Sequence, residues 1–220
     1  MYQSPVSSLT TMHLYHRRVF VRADLNVPLH GTHLLDDYRL QKILPTINAI
    51  QKQQGSIILA THLGRPRPGD TEPSTKHLIP WFERQGYHIL FESDLSRAAE
   101  RSRDITTSST ILLLENLRFF TGEQNGDTTF AQQLRACADI YVNDAFGVLH
   151  RHDTSVTLLA QLFKPHERTI GLLVEQELAS LNRLLSNPPQ PFLLILGSGK
   201  IAYKIPLIEQ MLKLINTLFL

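Results

Sequence analysis

The chain has 220 residues, of which 42% are hydrophobic, enough to build a packed core and too many for a disordered segment. Its formal net charge is +2, so no gross charge draws it to nucleic acid or a membrane, and any affinity for anions must come from local clustering. Cys137 is the single cysteine, which excludes an internal disulfide, favours a reducing compartment and reads as a buried spectator thiol.

Along the chain, short apolar runs alternate with helical periodicity. Val19 to Arg22 reads as a strand. Tyr38 to Gln53 comes next as a helix with Leu40, Ile43, Leu44, Ile47 and Ile50 on one stripe, and Asp36 and Asp37 stand where an N-cap is wanted. Ile57 to Ala60 is a strand, Leu78 to Gln85 a short helix stopped at Gly86, and Tyr87 to Phe91 a further strand. Next come a very apolar strand at Ile111 to Leu114, a helix at Thr128 to Ala138 and a strand at Ile140 to Val142. A long amphipathic helix is expected from Leu172 to Leu185, then an Asn187 to Pro191 linker. Beyond it the pattern restarts with strand Phe192 to Leu196, a glycine-rich turn, helix Pro206 to Ile215 and apolar Leu218 to Leu220. Arg65 to Ser74 is a proline-rich loop.

Repeated strand–helix–strand units with apolar strands predict a three-layer α/β/α fold on a Rossmann-like parallel sheet. The restarted pattern near the end reads as the start of a second α/β domain, and its lack of sheet partners suggests a truncated chain or a broken reading frame. The expected division is a first domain at 1–171, a helix and linker at 172–190, and the beginning of the second domain at 191–220.

Open parallel sheets bind ligands beyond the carboxyl ends of their strands. The segments just past the strand ends are polar here: Asp24 and Asn26, then His62, Gly64 and Arg65, then Glu115, Asn116 and Arg118, then Asn143, Asp144 and Arg151. Arg39 opens a helix entered from the same edge. A rim holding Arg39, Arg65, Arg118, Arg151 and His62 repels itself unless an anion or local acids compensate. Guanidinium groups offer paired, planar donors, so the inferred ligand is a small polyanion with phosphate or carboxylate groups. Any one arginine alone would be an ordinary surface ion pair. The pairs His13/His16 and His150/His152 lack acid or cysteine partners at metal-ligand spacing, and no metal ligand is assigned. The opening segment has no signal-like apolar core, and no stretch reaches the roughly 20 apolar residues of a membrane span. A cytoplasmic protein with no nucleic-acid or membrane partner is expected.

These motifs resemble the phosphoglycerate kinase family. VRADLNVP at 21–28, HLGRP at 62–66, LLLENLRF at 112–119 with GE at 122–123, and YVNDAFG at 141–147 with HR at 150–151 occur in the family's order and spacing. The resemblance runs from about Val19 to the C-terminus. It implies that Asp24, Asn26, His62, Arg65, Arg118 and Arg151 bind 3-phosphoglycerate and that Arg39 approaches the transferring phosphoryl group. GSGK at 197–200 resembles the family's GGAK, which places Lys200 and Lys204 on the nucleotide side and Lys204 with Arg39 as catalytic cations. The implied reaction is reversible phosphoryl transfer between ATP and 3-phosphoglycerate, giving 1,3-bisphosphoglycerate and ADP, with Mg2+ carried by the nucleotide and held by a protein ligand in a part of the family's fold that lies beyond this chain. The full-length form is expected to be a monomer.

Three departures stand out. Tyr203 replaces the acid that usually precedes the second lysine, and Val148 and Leu149 replace small residues before His150 and Arg151. Family members are about twice as long, at one domain per ~100–200 residues, so this piece is expected to lack turnover alone. A binding module that holds 3-phosphoglycerate without turnover is the alternative. A nicotinamide dehydrogenase fits the fold class but not the residues, because no GxGxxG comes after the first strand.

Overall fold

The strongest apolar runs of the sequence form the middle of one sheet. The computed structural model describes residues 8–67, 69–105, 109–197, 199 and 204–219. In chain order these form β1 (Arg18–Ala23), a hairpin of β2 (Leu29–His30) and β3 (His33–Leu34), α1 (Tyr38–Lys52), β4 (Ser56–Ala60), α2 (Ile79–Arg84), β5 (His88–Glu92), α3 (Leu95–Asp104) and β6 (Thr110–Leu114). They continue as α4 (Thr128–Ala136), β7 (Ile140–Asp144), α5 (Leu158–Gln161), β8 (Arg168–Ile170), α6 (Leu172–Ser186), β9 (Leu193–Ile195), α7 (Ile205–Met211) and β10 (Thr217–Phe219). The chain divides into one unit of Ser4–Glu175 and another built on Gln176–Leu220, the division falling within α6.

In the first unit six parallel strands run in the order β5-β6-β4-β1-β7-β8. Val19 sits between Ile57 on one side and Ile140 on the other. Because successive strand residues face opposite sides, the sheet feeds two cores. Val19, Val21, Ile57, Leu59, Ile111, Leu113, Ile140 and Val142 pack with the α1 stripe and with Trp81 and Phe82 of α2. Phe20, Ile58, Ala60, Leu112, Leu114 and Tyr141 pack with α3, α4 and Leu159 of α5. That is the expected three-layer arrangement, with both faces of the strands dry.

Local chemistry explains the helix starts. Asp94 accepts from Ser96 and Arg97 backbone N–H at the head of α3, and Asp127 from Thr129 and Phe130 at the head of α4. At α1 the two candidate caps divide their work. Asp36 accepts from Tyr38 N at 2.8 Å, whereas Asp37 takes Trp81 Nε1 and Gln41 Nε2, both at 2.8 Å, and so ties α1 to α2.

The direction of winding reverses at β1. Its helix α1 leads to β4 on one side, while the later β7 adds on the other side. The loops after β1, β4, β6 and β7 therefore gather at the carboxyl edge around a switch point, where such sheets leave a crevice. In the second unit β9 and β10 pair in parallel across α7, held at one end by Phe192 N donating to Asn216 Oδ1 at 2.6 Å.

Candidate functional site

The loop after β1 is bound to the loop after β4. Leu25 N donates to Thr61 Oγ1 at 2.9 Å, and Gly64 N donates to Asn26 Oδ1 at 2.8 Å. The loop after β6 is bound to the same segment. Asn116 is fully buried; its Nδ2 donates to the carbonyls of Leu63 and Pro73, both at 2.8 Å, and its Oδ1 accepts from Leu63 N and Arg118 N, both at 3.2 Å. Glu115 secures the far end of the proline-rich loop by accepting from Ser74 Oγ and Thr75 N. Three loops of the rim thus share one hydrogen-bonded frame.

On that frame Arg118 is only 4% exposed. Its Nη1 donates to Gly64 O at 2.8 Å, while Nε and Nη2 are buried without a partner. Those two nitrogens form one side of the guanidinium fork, the side that grips a carboxylate or phosphate with two parallel bonds. Half-buried Asp24 pairs with exposed Arg39, Asp24 Oδ2 accepting from Arg39 Nη1. Gly147 makes room for that pair, since a Cβ there would lie 2.5 Å from Asp24 Oδ2. Arg65 is exposed and Arg151 half-buried, and neither makes an ion pair among the described residues.

His62 corrects the picture of a fifth cation. It is 2% exposed, and burial, followed by the charges of Arg22, Arg151 and Arg39, lowers its pKa from 6.5 to about 3. The imidazole is neutral near pH 7, so it adds hydrogen-bonding capacity to the rim and no charge. Arg22 stands behind it, wholly buried, with Nη2 3.4 Å from His62 Nδ1 and 3.7 Å from Glu123 Oε1.

The family model for phosphoglycerate kinase matches residues 9–220. The chain belongs to the phosphoglycerate kinase family. It is 40% identical over 220 residues to the phosphoglycerate kinase of Chlamydia trachomatis serovar L2, covering 97% of this chain and 54% of that protein. It is 38% identical over 218 residues to a phosphoglycerate kinase of Nicotiana tabacum described as cytosolic, covering 98% and 54%. Among solved structures, phosphoglycerate kinase from Coxiella burnetii superposes with a TM-score of 0.81 at 28% identity over 97% of this chain and 54% of that one. The enzyme from Pyrococcus horikoshii OT3 gives 0.79 at 26% over 94% and 52%. The chain thus spans about half the length of the phosphoglycerate kinases it matches.

Within this phosphoglycerate kinase half, Asp24, Asn26, His62, Arg65, Arg118 and Arg151 lie on loops at one edge of the sheet, and Arg39, in the first turn of α1, is paired with Asp24 there. Lys204 belongs to the other unit, where it stands at the N-cap position of α7 without a side-chain capping bond and its Nζ donates to Gly197 O. Lys200 and Tyr203 lie outside the described residues. Val148, larger than the phosphoglycerate kinase pattern prefers, fills a small apolar cluster with Ala145 and Val156. Sequence reading of the strand ends overlooked the buried Arg22, Glu123 and Ser155. The first two lie inside the quoted motifs, and a charged residue closing an otherwise apolar strand was the available signal. Among the described residues no three His, Cys, Asp or Glu side chains converge as a metal site, and no helix is long and apolar enough to cross a membrane.

Proposed function

We propose that the chain carries the 3-phosphoglycerate-binding half of a phosphoglycerate kinase, with Asp24, Asn26, Arg39, His62, Arg65, Arg118 and Arg151 as the binding residues. One observation carries the reading: Arg118 is buried at a strand end with both nitrogens of one fork unpartnered. A buried, half-satisfied guanidinium is costly without an anion, and the fork matches a carboxylate or phosphate. In the whole protein the substrate carboxylate oxygen attacks the γ-phosphorus of ATP, the bond to the ADP oxygen breaks, and 1,3-bisphosphoglycerate forms. No protein nucleophile takes part, so these residues act by positioning and by balancing charge.

Asp24 holds Arg39 at the rim, and Arg39 is assigned to the transferring phosphoryl group. Lys200 and Lys204 are assigned to the nucleotide on the family resemblance. Magnesium would arrive with the nucleotide; the described residues supply no ligand set for it. The domain boundaries 1–171, 172–190 and 191–220, a monomeric full-length form and a cytoplasmic location belong to the same proposal, the last supported by the tobacco relative.

The test is calorimetric titration of the chain with 3-phosphoglycerate. Arg118→Ala should lose roughly 1.5–3 kcal/mol of binding free energy, the worth of a hydrogen bond to a charged group. Arg17→Ala, outside the rim, should lose none. Unchanged affinity in Arg118→Ala would sink the assignment.

A further inference from the structure

Arg22 has no place among the loops beyond the strand ends, yet it is fully buried and its every nitrogen is accounted for. Nε donates to Ser155 Oγ at 2.7 Å and Nη1 to Ala23 O at 2.6 Å. Nη2 lies 3.7 Å from Glu123 Oε1 and 3.4 Å from His62 Nδ1. Ser155 is itself held by Glu123, which accepts from Ser155 Oγ at 2.6 Å and from Ser155 N at 3.0 Å. The guanidinium therefore sits in a rigid bracket whose one outward contact is the histidine ring.

An arginine has donors and no acceptor. The ring nitrogen that faces it must present a lone pair, and a neutral imidazole then carries its single proton on the other nitrogen. Burial, followed by the charges of the three arginines around His62, keeps the ring neutral, so the tautomer decides what the ring offers a ligand. With Nδ1 as the acceptor, Nε2–H is a donor suited to a carboxylate or phosphate oxygen. With the opposite tautomer, Nε2 would meet that oxygen lone pair to lone pair.

We propose that Arg22, bracketed by Ser155 and Glu123, is a positioning residue that fixes His62 as its Nε2–H tautomer and so makes the ring a hydrogen-bond donor to the anion on the rim. The inference rests on the anion-binding reading of that rim.

Nitrogen-15 correlation spectra of the histidine-labelled, ligand-free chain read the tautomer directly. His62 should show an unprotonated Nδ1 and a protonated Nε2 at pH 7; an Nδ1–H ring or an imidazolium overturns the proposal. Arg22→Lys keeps a charge beside Glu123 but loses the fork. It should give mixed tautomers and about tenfold weaker 3-phosphoglycerate binding, a factor within the range of one ordinary hydrogen bond. Should that variant not fold, Ser155→Ala, which frees Arg22 Nε, is measured in its place with the same expectation. His62→Gln keeps an amide donor and has no tautomer, so adding Arg22→Lys to it should cost almost nothing. A tenfold loss there too would mean that Arg22 acts through packing alone, and would overturn the proposal. A locked Nε2–H ring in a chain that does not bind 3-phosphoglycerate would instead overturn the rim reading and with it the donor role.

Discussion

Asn116 and Arg118 are two positions apart and both buried, yet they are opposites in hydrogen bonding. The amide uses both donors and its oxygen twice, while the guanidinium leaves Nε and Nη2 unpaired. A saturated polar group serves the fold, and an unsaturated buried one is a cost to the fold that a bound anion would offset. Arg118→Met should therefore raise the ligand-free melting temperature while weakening the proposed 3-phosphoglycerate binding as Arg118→Ala does; a lower melting temperature would show that the bond to Gly64 O outweighs the two orphaned donors. Two buried groups set opposed pH dependences. His62 has its folded pKa lowered to about 3 from 6.5, so the unfolded chain takes up the proton that the folded chain refuses. Its share of stability is full above pH 6.5 and is lost as pH falls toward about 3. Glu123, raised by burial to about 7 from 4.5, contributes stability that is full below pH 4.5 and is lost as pH rises through about 7. The slopes of these two groups oppose one another between pH 4.5 and 6.5, and below 4.5 only His62 of the two still contributes, alongside carboxylates such as Asp139 that parent and variant share. Urea unfolding of His62→Gln between pH 4.5 and 3 should accordingly be flatter than that of the parent by up to about 1.4 kcal/mol per pH unit. Parallel curves would refute this. The sequence named His62 as a site residue but not its charge, because ionisation depends on neighbours such as Arg22 that lie 40 positions away.

At the scale of elements, the legible parts were those whose burial pattern is strong. Strands β1, β4, β6 and β7 and helices α1, α4 and α6 fall within a residue or two of the expected spans, because continuous apolar runs and the α1 stripe admit one reading. Helix α3 was overlooked. Its buried residues are Leu95, Ala98 and Ser102, two of them small, and most of the rest is charged, so no apolar stripe announces it. Only the cap at Asp94 marks its start. Strand β8 has three residues and the β2–β3 hairpin two per strand, too short for any period to register. The end of β7 and the entry to α6 meet closely. Asp144 is buried, accepts from Val174 N at 3.1 Å, and presses on Gly171, where an added Cβ would overlap the Asp144 carboxylate. Gly171→Ala must displace Asp144 or bend the entry to α6. It should destabilise the chain by about 1–3 kcal/mol, as overpacking does, measured by denaturant unfolding; a loss under about 0.5 kcal/mol, the level of a neutral surface change, would mean that the junction yields freely.

Over the whole chain, protection from solvent is uneven. The six-stranded sheet is dry on both faces, whereas the second unit has a two-stranded sheet in which Ile195 is 70% and Phe219 60% exposed. Two-stranded sheets are marginal in water. Amide hydrogen exchange should thus leave β1, β4 and β7 protected longest and β9 and β10 first to exchange; equal protection in both would contradict this. The alternation of strands and helices made the three layers legible, but the order of strands was not, since periodicity says nothing about which strands become neighbours. That order also has a consequence during synthesis. Arg18, at the start of β1, is joined to Asp139, 121 positions later, just ahead of β7. A ribosome adding roughly 5–20 residues per second takes on the order of ten seconds to cover that distance. Until then β1 can pair with β4 but has no neighbour on its other side, and its unpaired backbone is open to any passing strand. One of the two central strands of the finished sheet is thus born as an edge, and the nascent chain depends for that interval on whatever shields it.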